Sequence, residues 1–325
     1  MKEMAFKMLG MLDESKNGVT CEELANSLGV DVSRIKELIN ILAEKGYTVV
    51  CEEGVCHLIE RTDLLLPYEL KRQLRTRIIG KEIFHFDSIP STINAAKRLA
   101  YDRDPSELHG TIVIAEQQTG GVGRLGRSWA SPPGGIWATV FLKPNIPVER
   151  LFMITMAGSV AVARAIRREY DIGALIKWPN DIFIGSKKVA GLLQEIDAEG
   201  NNVNFVVLGF GIDANIDITS LPEELQPIVT TLQEEVGEKV DRAKLFARVL
   251  KEFELRLLQL ESGEYDTIIR EWKSLSLTLN RRVHVKTLRK AFKGVAIDID
   301  ENGALLIRKD NGKVEKVIAG DLFQL

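Results

Sequence analysis

The chain has 325 residues, 45% hydrophobic and 27% charged, and 43 Lys and Arg stand against 46 Asp and Glu for a formal net charge of −3. That balance suits two or three packed globular domains and excludes both a polyanion binder governed by its overall charge and a disordered acidic chain. No apolar run approaches the roughly 20 residues that span a bilayer, and the opening MKEMAFKMLGMLDESKNG lacks the apolar core and cleavage site of a secretory signal, so a cytoplasmic protein with no membrane partner is expected.

Residues 1 to about 60 read as three helices and a hairpin. EMAFKMLGML places apolar residues at helical spacing, CEELANSLGV is a short amphipathic helix ended by Gly29, and DVSRIKELINILAEKGY begins at an Asp or Ser cap and stops at Gly46. YTVV and VCHLIE, separated by CEEG, look like the strands of a wing, so a winged helix-turn-helix is expected. Ser33, Arg34 and Lys36 fall in the first turns of the third helix, where a recognition helix meets base edges and phosphates, and Arg61, Lys71, Arg72, Arg75 and Arg77 follow. Against DNA, residues 1–60 hold six Lys and Arg but eleven Asp and Glu, a net of −5, so a winged helix used for protein contacts or dimerisation stays open. Cys21, Cys51 and Cys56, with His57 beside the last, match none of the common zinc spacings, and reduced, mostly buried thiols are expected in place of a disulfide framework.

From about 80 to 275 the patterns are α+β. TIVIAEQQ, IWATVFLKP, ALIKWPNDIFI, KKVAGLLQEI and FVVLGFGI are strand-like with GSKK and DAEGNN as turns, which points to an antiparallel meander. INAAKRLAYD, ERLFMITMAGSVAVARAIRREY and AKLFARVLKEFELRLLQLESG have helical spacing and are expected to cover one face of the sheet. Beyond about 277, RRVHVKT, KAFKGVAIDID, GALLIRKD and KVEKVIAGDLFQL are short strands separated by ENG and DNG turns, the pattern of a small antiparallel barrel.

Four features of the middle segment carry chemistry together: Ser91 and Thr92 opening a helix, the loop QQTGGVGRLGRSW, the turn KWPND and the strand KKVAG. They supply hydroxyls, an amide, glycine backbone, two arginines, a lysine and a carboxylate. The four histidines, His57, His85, His109 and His284, lie in unrelated contexts, so no nucleophile set is visible. The inventory fits positioning an anion and stabilising charge as it develops, which is what nucleotidyl transfer demands.

QQTGGVGRLGRSW, KWPND, KKVAGLLQE and GFGIDAN, in this order and spacing, resemble the motifs of the biotin protein ligases, and with the flanking segments the whole chain is similar to the bifunctional type that also represses biotin genes. The resemblance implies a winged helix-turn-helix at 1–62, a linker at 63–79, a class II synthetase-like biotin and ATP domain with a mixed or antiparallel sheet at 80–276, and an SH3-like barrel at 277–325. It implies ATP and Mg²⁺ activating biotin as biotinyl-5′-AMP, transfer to a lysine of a biotin carboxyl carrier domain, a homodimer, and operator DNA as a further partner. Ser91, Thr92, Gln118 and Gly121 match positions around biotin, and Trp129 and Gly121 match walls of the biotin and adenylate site. Arg124 and Arg127 match a loop that folds over the intermediate, with Arg124 best placed for its carboxylate and phosphate oxygens and so counted with Lys188 and Asp181 among the catalytic residues. Lys188 matches a lysine that neutralises the reacting carboxylate and α-phosphate. Asp181 matches a residue that either helps take the proton of the incoming lysine or assists a metal, and no metal ligand is fixed by the sequence.

Three positions depart from the family's pattern. Ile93 stands where an asparagine follows Ser-Thr, unless Asn94 takes the place by a shift of the helix start. Val122 replaces the first arginine of a Gly-Arg-Gly-Arg run. Asp213 replaces the asparagine of Gly-Ile-Asn, and an ionised carboxylate there only accepts hydrogen bonds, which predicts weaker or reoriented adenine binding. A biotin-binding DNA sensor without ligase activity, and a ligase whose winged helix binds no DNA, are the competing expectations.

Overall fold

Helix α1 (Lys2–Glu14), strand β1 (Val19–Thr20), helices α2 (Cys21–Leu28) and α3 (Ser33–Glu44), and strands β2 (Thr48–Glu52) and β3 (Val55–Glu60) build the first of two units, Met1–Glu69, in a computed structural model that describes residues 1–200, 202–287 and 290–324. Thr20 caps α2 through a capping box, its Oγ1 accepting from the Glu23 N–H at 3.2 Å while the Glu23 carboxylate accepts from the Thr20 N–H at 2.9 Å. Gly29, at φ 65°, ends the helix as expected. The expected Asp or Ser cap of α3 is not made. Val32, itself in helical conformation, holds that position, and its side chain has no acceptor to offer, while the Asp31 and Val32 carbonyls accept from Arg34 and Ile35 in a tight first turn. Leu9, Leu24, Leu38, Leu42 and Cys56 are buried in this unit's core.

A two-residue turn, Glu53 at φ 50° and Gly54 at φ 80°, joins β2 to β3 and sets Cys51 directly opposite Cys56. The structure joins the two as a disulfide, which corrects the expectation of three reduced thiols; Cys56 is buried, Cys21 half-buried and Cys51 exposed. Strand β1, not foreseen in the sequence, pairs with β3.

The second unit begins at Leu70, within the short helix α4 (Pro67–Gln73). It contains β4 (Ile83–Phe86), α5 (Thr92–Asp102), β5 (Ile112–Ala115), β6 (Ile136–Leu142), α6 (Phe152–Tyr170), β7 (Ala174–Lys177), β8 (Asp181–Ile184), β9 (Lys187–Glu199) and β10 (Asn202–Ile212). Helices α7 (Leu232–Val236), α8 (Arg242–Glu261) and α9 (Tyr265–Ser274) follow. The seven strands order as β4-β5-β6-β10-β9-β8-β7, antiparallel except for the parallel pair β4–β5, so the sheet is mixed. ALIKWPNDIFI, read as one strand, is a hairpin, β7 and β8, in which Lys177 pairs with Asp181 across the turn at 178–180.

The helices divide between the faces. Gly158 of α6 meets Leu192, Leu208 and Phe210, and Phe246 and Phe253 of α8 set their rings against Phe210, whereas Ile93 of α5 lies on Gly209, one residue away and therefore on the opposite face. The expectation of helices on one face holds for α6 and α8 and fails for α5. Its short apolar stripe packs instead with Val113, Phe141, Phe205 and Val207. Among the described residues no helix is long and apolar enough to cross a membrane.

Strands β11 (Arg282–Lys286), β12 (Ala291–Ile299), β13 (Leu305–Lys309), β14 (Val314–Val317) and β15 (Asp321–Gln324) form a five-stranded antiparallel sheet in the order β14-β13-β12-β11-β15. The Trp178 Nε1–H donates to the Gly303 carbonyl at 3.2 Å, fixing this sheet beside the β7–β8 turn.

Candidate functional site

On the sheet face that bears α5, a cavity of about 610 Å³ lies between β8, β9, β10, the loop after Gln118 and the last strand. Ser91, Thr92, Gln118, Arg124, Arg127, Trp129, Asp181, Lys188 and Asp213 all line it. Residues up to 122 positions apart in sequence thus meet in one site of a size suited to a small organic ligand.

One wall is neutral and wired internally. Thr139 Oγ1 donates to Thr92 Oγ1 at 2.9 Å, and the Thr92 hydroxyl and N–H donate to Gln118 Oε1 at 3.0 and 2.9 Å. Gln118 Nε2 donates to Ser131 Oγ at 2.9 Å, and Ser131 Oγ donates to the Trp129 carbonyl at 3.1 Å. Ser91, at the N-cap of α5, accepts from the Asn94 N–H at 3.3 Å. Each bond fixes the orientation of the next, so the wall holds its shape before any ligand arrives. Among the described residues this leaves the Ser91 hydroxyl proton and the second N–H of Gln118 without an acceptor, two donors at the cavity.

The other wall is charged. Lys188 Nζ stands 2.6 Å from Asp181 Oδ1 and 4.7 Å from the centre of the Trp129 ring. A register shift between Ile182 and Phe183 lets Phe183 pair with Lys188 while Ile182 pairs with Ala190. Arg124 donates to Asn180 Oδ1 at 3.4 Å and to the Gly320 carbonyl at 3.3 Å. Burial lowers its pKa, with Asp181 and Asp321 opposing, and the guanidinium remains a cation. Arg127 is ion-paired with Asp321. Lys177 joins this wall, its pKa lowered by burial and held up by Asp181.

The loop itself is a small folded hairpin. Val122 bridges Ser128, the Gly123 N–H donates to the Arg127 carbonyl at 2.7 Å, and the Trp129 N–H to the Gly121 carbonyl at 2.9 Å. Gly121 is not among the cavity's lining; a Cβ there would stand 2.4 Å from the Trp129 carbonyl oxygen, so its place is behind the wall and its lack of a side chain is steric. Gly211 plays the matching part on β10, where a Cβ would lie 2.8 Å from the Trp129 ring. The indole therefore sits flat on the strand, its Nε1 buried and without a partner among the described residues.

The three departures take definite positions. Ile93 is buried against Gly209, while Asn94 is exposed, so the helix start does not shift to bring an amide into the cavity. Val122 is 42% exposed on the loop. Asp213 is buried in the cavity wall, and burial pushes its pKa up to about 8, with Lys188 pulling the other way. Its carboxyl is therefore mostly protonated at neutral pH, which corrects the expectation of an ionised, acceptor-only group: as a carboxylic acid it both donates and accepts, as an amide does.

Lys177, Asn180 and the segment 320–323 were not singled out in the sequence. The first two stand inside KWPND, where strand and turn geometry could have signalled them. The last reaches the cavity from almost 200 residues away, with no local pattern to announce it. Ser33, Arg34 and Lys36 belong to the first unit, exposed on the first turns of α3, with Arg34 paired to Glu37 at 2.7 Å.

Residues 85–213 match the model of the biotin/lipoate A/B protein ligase family, and residues 278–323 match that of the biotin protein ligase C-terminal domain. The bifunctional ligase/repressor BirA of Bacillus subtilis is 33% identical over 94% of this chain and 93% of its own length. The biotin–[acetyl-CoA-carboxylase] ligase of Mycobacterium tuberculosis is 30% identical over 81% of this chain and 98% of its own. Among solved structures, the biotin protein ligase of Aquifex aeolicus in complex with biotin and ATP superposes with a TM-score of 0.65 at 27% identity, covering 75% of this chain and 99% of that one.

Proposed function

Because the chain belongs to the biotin protein ligase family, within which its relatives include bifunctional ligase/repressors, we infer that the cavity holds biotin against its neutral wall and ATP against its charged wall. The protein is an ATP-dependent biotin protein ligase of the ligase/repressor type. A biotin carboxylate oxygen attacks the α-phosphorus of ATP, the bond to the β-phosphate breaks and pyrophosphate leaves. The ε-amine of an acceptor lysine then attacks the carbonyl of biotinyl-5′-AMP, AMP departs, and the amine proton passes to a base.

The observation that carries the site assignment is the Lys188–Asp181 pair beside Arg124 in the cavity. When biotin and ATP enter, Lys188 exchanges Asp181 for the carboxylate and α-phosphate oxygens between which charge is shared in the transition state. Asp181, released from that contact, becomes the nearest carboxylate to take the proton of the attacking amine. Arg124 and Arg127 face phosphate oxygens, and protonated Asp213 offers the adenine edge a donor and an acceptor. Ser91, Thr92 and Gln118 satisfy the ureido head of biotin, whose burial without partners costs about 1–3 kcal/mol per group. For Mg²⁺ the donor set is sparse, since Asp181 and Asp321 are ion-paired; the fit is one carboxylate, Asp181, beside the phosphates of ATP, an arrangement usual for this ion, which when bound neutralises phosphate charge.

The first unit is read as a winged helix-turn-helix that meets operator DNA through Ser33, Arg34 and Lys36, the segment 63–79 as a linker, 80–276 as the catalytic domain and the terminal sheet as an SH3-like barrel. A cytoplasmic homodimer, favoured when biotinyl-AMP is bound, completes the reading. Two experiments test it. The purified chain with labelled biotin, ATP and Mg²⁺ is expected to label a biotin carboxyl carrier domain, and absence of label from a folded, biotin-binding chain would turn the reading to a sensor. A gel-shift titration against the DNA upstream of its own gene, with biotin and ATP, is expected to give a specific shift at low salt; its absence removes the DNA assignment.

A further inference from the structure

Outside the cavity, the three cysteines of the chain converge in the first unit. Their Sγ atoms all lie within 4.8 Å of one another: Cys21 is the first residue of α2, Cys51 stands near the end of β2 and Cys56 near the start of β3. Cys21 Sγ is 3.5 Å from Cys56 Sγ, and the Cys21 N–H donates to the Gly54 carbonyl at 2.8 Å, so helix start and hairpin turn are already held together by backbone. The ring of His57 lies by Gly18, on the other side of β3 from Cys56, and takes no part.

We propose that, once the Cys51–Cys56 bond is reduced, these three thiols form a binding site for one thiophilic divalent cation of the zinc–cadmium class. Two thiolates on one zinc ion, each about 2.3 Å from it, stand about 3.8 Å apart in tetrahedral geometry, close to the Cys21–Cys56 separation already present. A dithiol reductant, leaving as its own disulfide, supplies the two electrons and two protons that free the Cys51 and Cys56 sulfurs as thiols; binding the cation releases the thiol protons, leaving three thiolates as ligands. Cys51 is exposed, so the ion has a route in and a fourth position open to water.

The surroundings favour a cation over a simple dithiol couple. Cys21 and Cys51 are each followed by two exposed glutamates, Glu22 and Glu23, and Glu52 and Glu53. That charge draws a cation in and repels an anionic thiol such as glutathione. Cys21, the third sulfur, is surplus to a two-cysteine disulfide and necessary to a three-thiolate site. A bound ion would tie α2 to both strands of the hairpin.

The test uses the full chain, fully reduced and freed of reductant, titrated with Cd²⁺ under argon while the sulfur-to-cadmium charge-transfer absorption is followed. One equivalent is expected to saturate the band, and Cys21→Ser and Cys51→Ser are each expected to weaken Cd²⁺ affinity at least tenfold, with competition by Zn²⁺ in the parent. Biotin transfer, whose cavity these residues do not line, is expected unchanged in both variants, and a single cooperative thermal transition is expected in each, so the two measurements report that the chain is folded. Parent-like affinity in Cys21→Ser would overturn the three-thiolate site. So would a reduced parent that gives no saturable band, which would leave Cys51 and Cys56 as a redox pair.

Discussion

The two walls of the cavity are stabilised in opposite ways. Along the neutral wall, Thr139, Thr92, Gln118 and Ser131 satisfy one another in a single directional chain, so the binding surface is finished before the ligand comes. Along the charged wall, Lys188 and Arg127 are held by Asp181 and Asp321, partners that an anionic ligand must replace. Preorganised dipoles serve recognition of an uncharged head group, and exchangeable ion pairs keep cations in place without committing them until negative charge arrives.

Removing a group from the charged wall should therefore harm rate, and removing one from the neutral wall should harm affinity. The largest effect is expected for Lys188→Ala, whose biotin-dependent pyrophosphate release should fall by about 10²–10³-fold at saturating substrates, the scale for losing one charge-stabilising donor. Unaltered turnover in a quench assay would remove Lys188 from the reaction. Next comes Gln118→Ala, which breaks the neutral chain at its centre and leaves Thr92 and Ser131 without their shared partner. Calorimetry should show biotin binding weakened by about tenfold, the lower end of the cost of unpaired buried polar groups.

A smaller change tests whether ion-pair exchange opposes binding. In Asp321→Asn the carboxylate facing Arg127 is gone, and ATP should bind about threefold tighter at low salt with the gain lost at high salt, as for an exposed pair of low net worth. An equal gain at both salt levels would contradict a screened charge effect. Least of all at neutral pH is Asp213→Asn, expected within about twofold of the parent for ATP because protonated Asp213 already presents a donor and an acceptor.

The pH dependence of that position has a definite sign. The folded-state pKa of Asp213 is raised to about 8 from its ordinary value of 3.8, so between these limits the folded chain binds more protons than the unfolded one and stability falls as pH rises. Asparagine has no such loss. Melting temperatures of Asp213→Asn and parent should converge toward pH 4 and separate up to about pH 8, the variant above, while ATP affinity of the parent alone weakens through pH 8. Parallel melting curves across that range would show the carboxyl ionised throughout.

Much of this site was legible in local pattern. The residues of QQTGGVGRLGRSW, KWPND and KKVAG converge because each motif stands at a strand end or turn of one sheet, and the start of α5 at Ser91 and the end of α2 at Gly29 were visible in the sequence. What escaped depended on neighbours far away in sequence. Period-two packing on β10 put α5 and α6 on opposite faces, the tail segment 320–323 reaches Arg124 across the fold, and the charge state of Asp213 follows from enclosure, which composition does not show. The cysteines were misread for the same reason: spacing along the chain says nothing of a hairpin register that sets Cys51 against Cys56.

The most direct test of the division between the walls is biotin affinity measured together with single-turnover adenylation in Lys188→Ala and Gln118→Ala. A crossed result is expected, with Lys188→Ala losing adenylation rate while biotin affinity stays within a few-fold, and Gln118→Ala losing affinity while its rate at saturating biotin stays near the parent's. If both variants lose the same quantity in the same proportion, the two walls do not act separately.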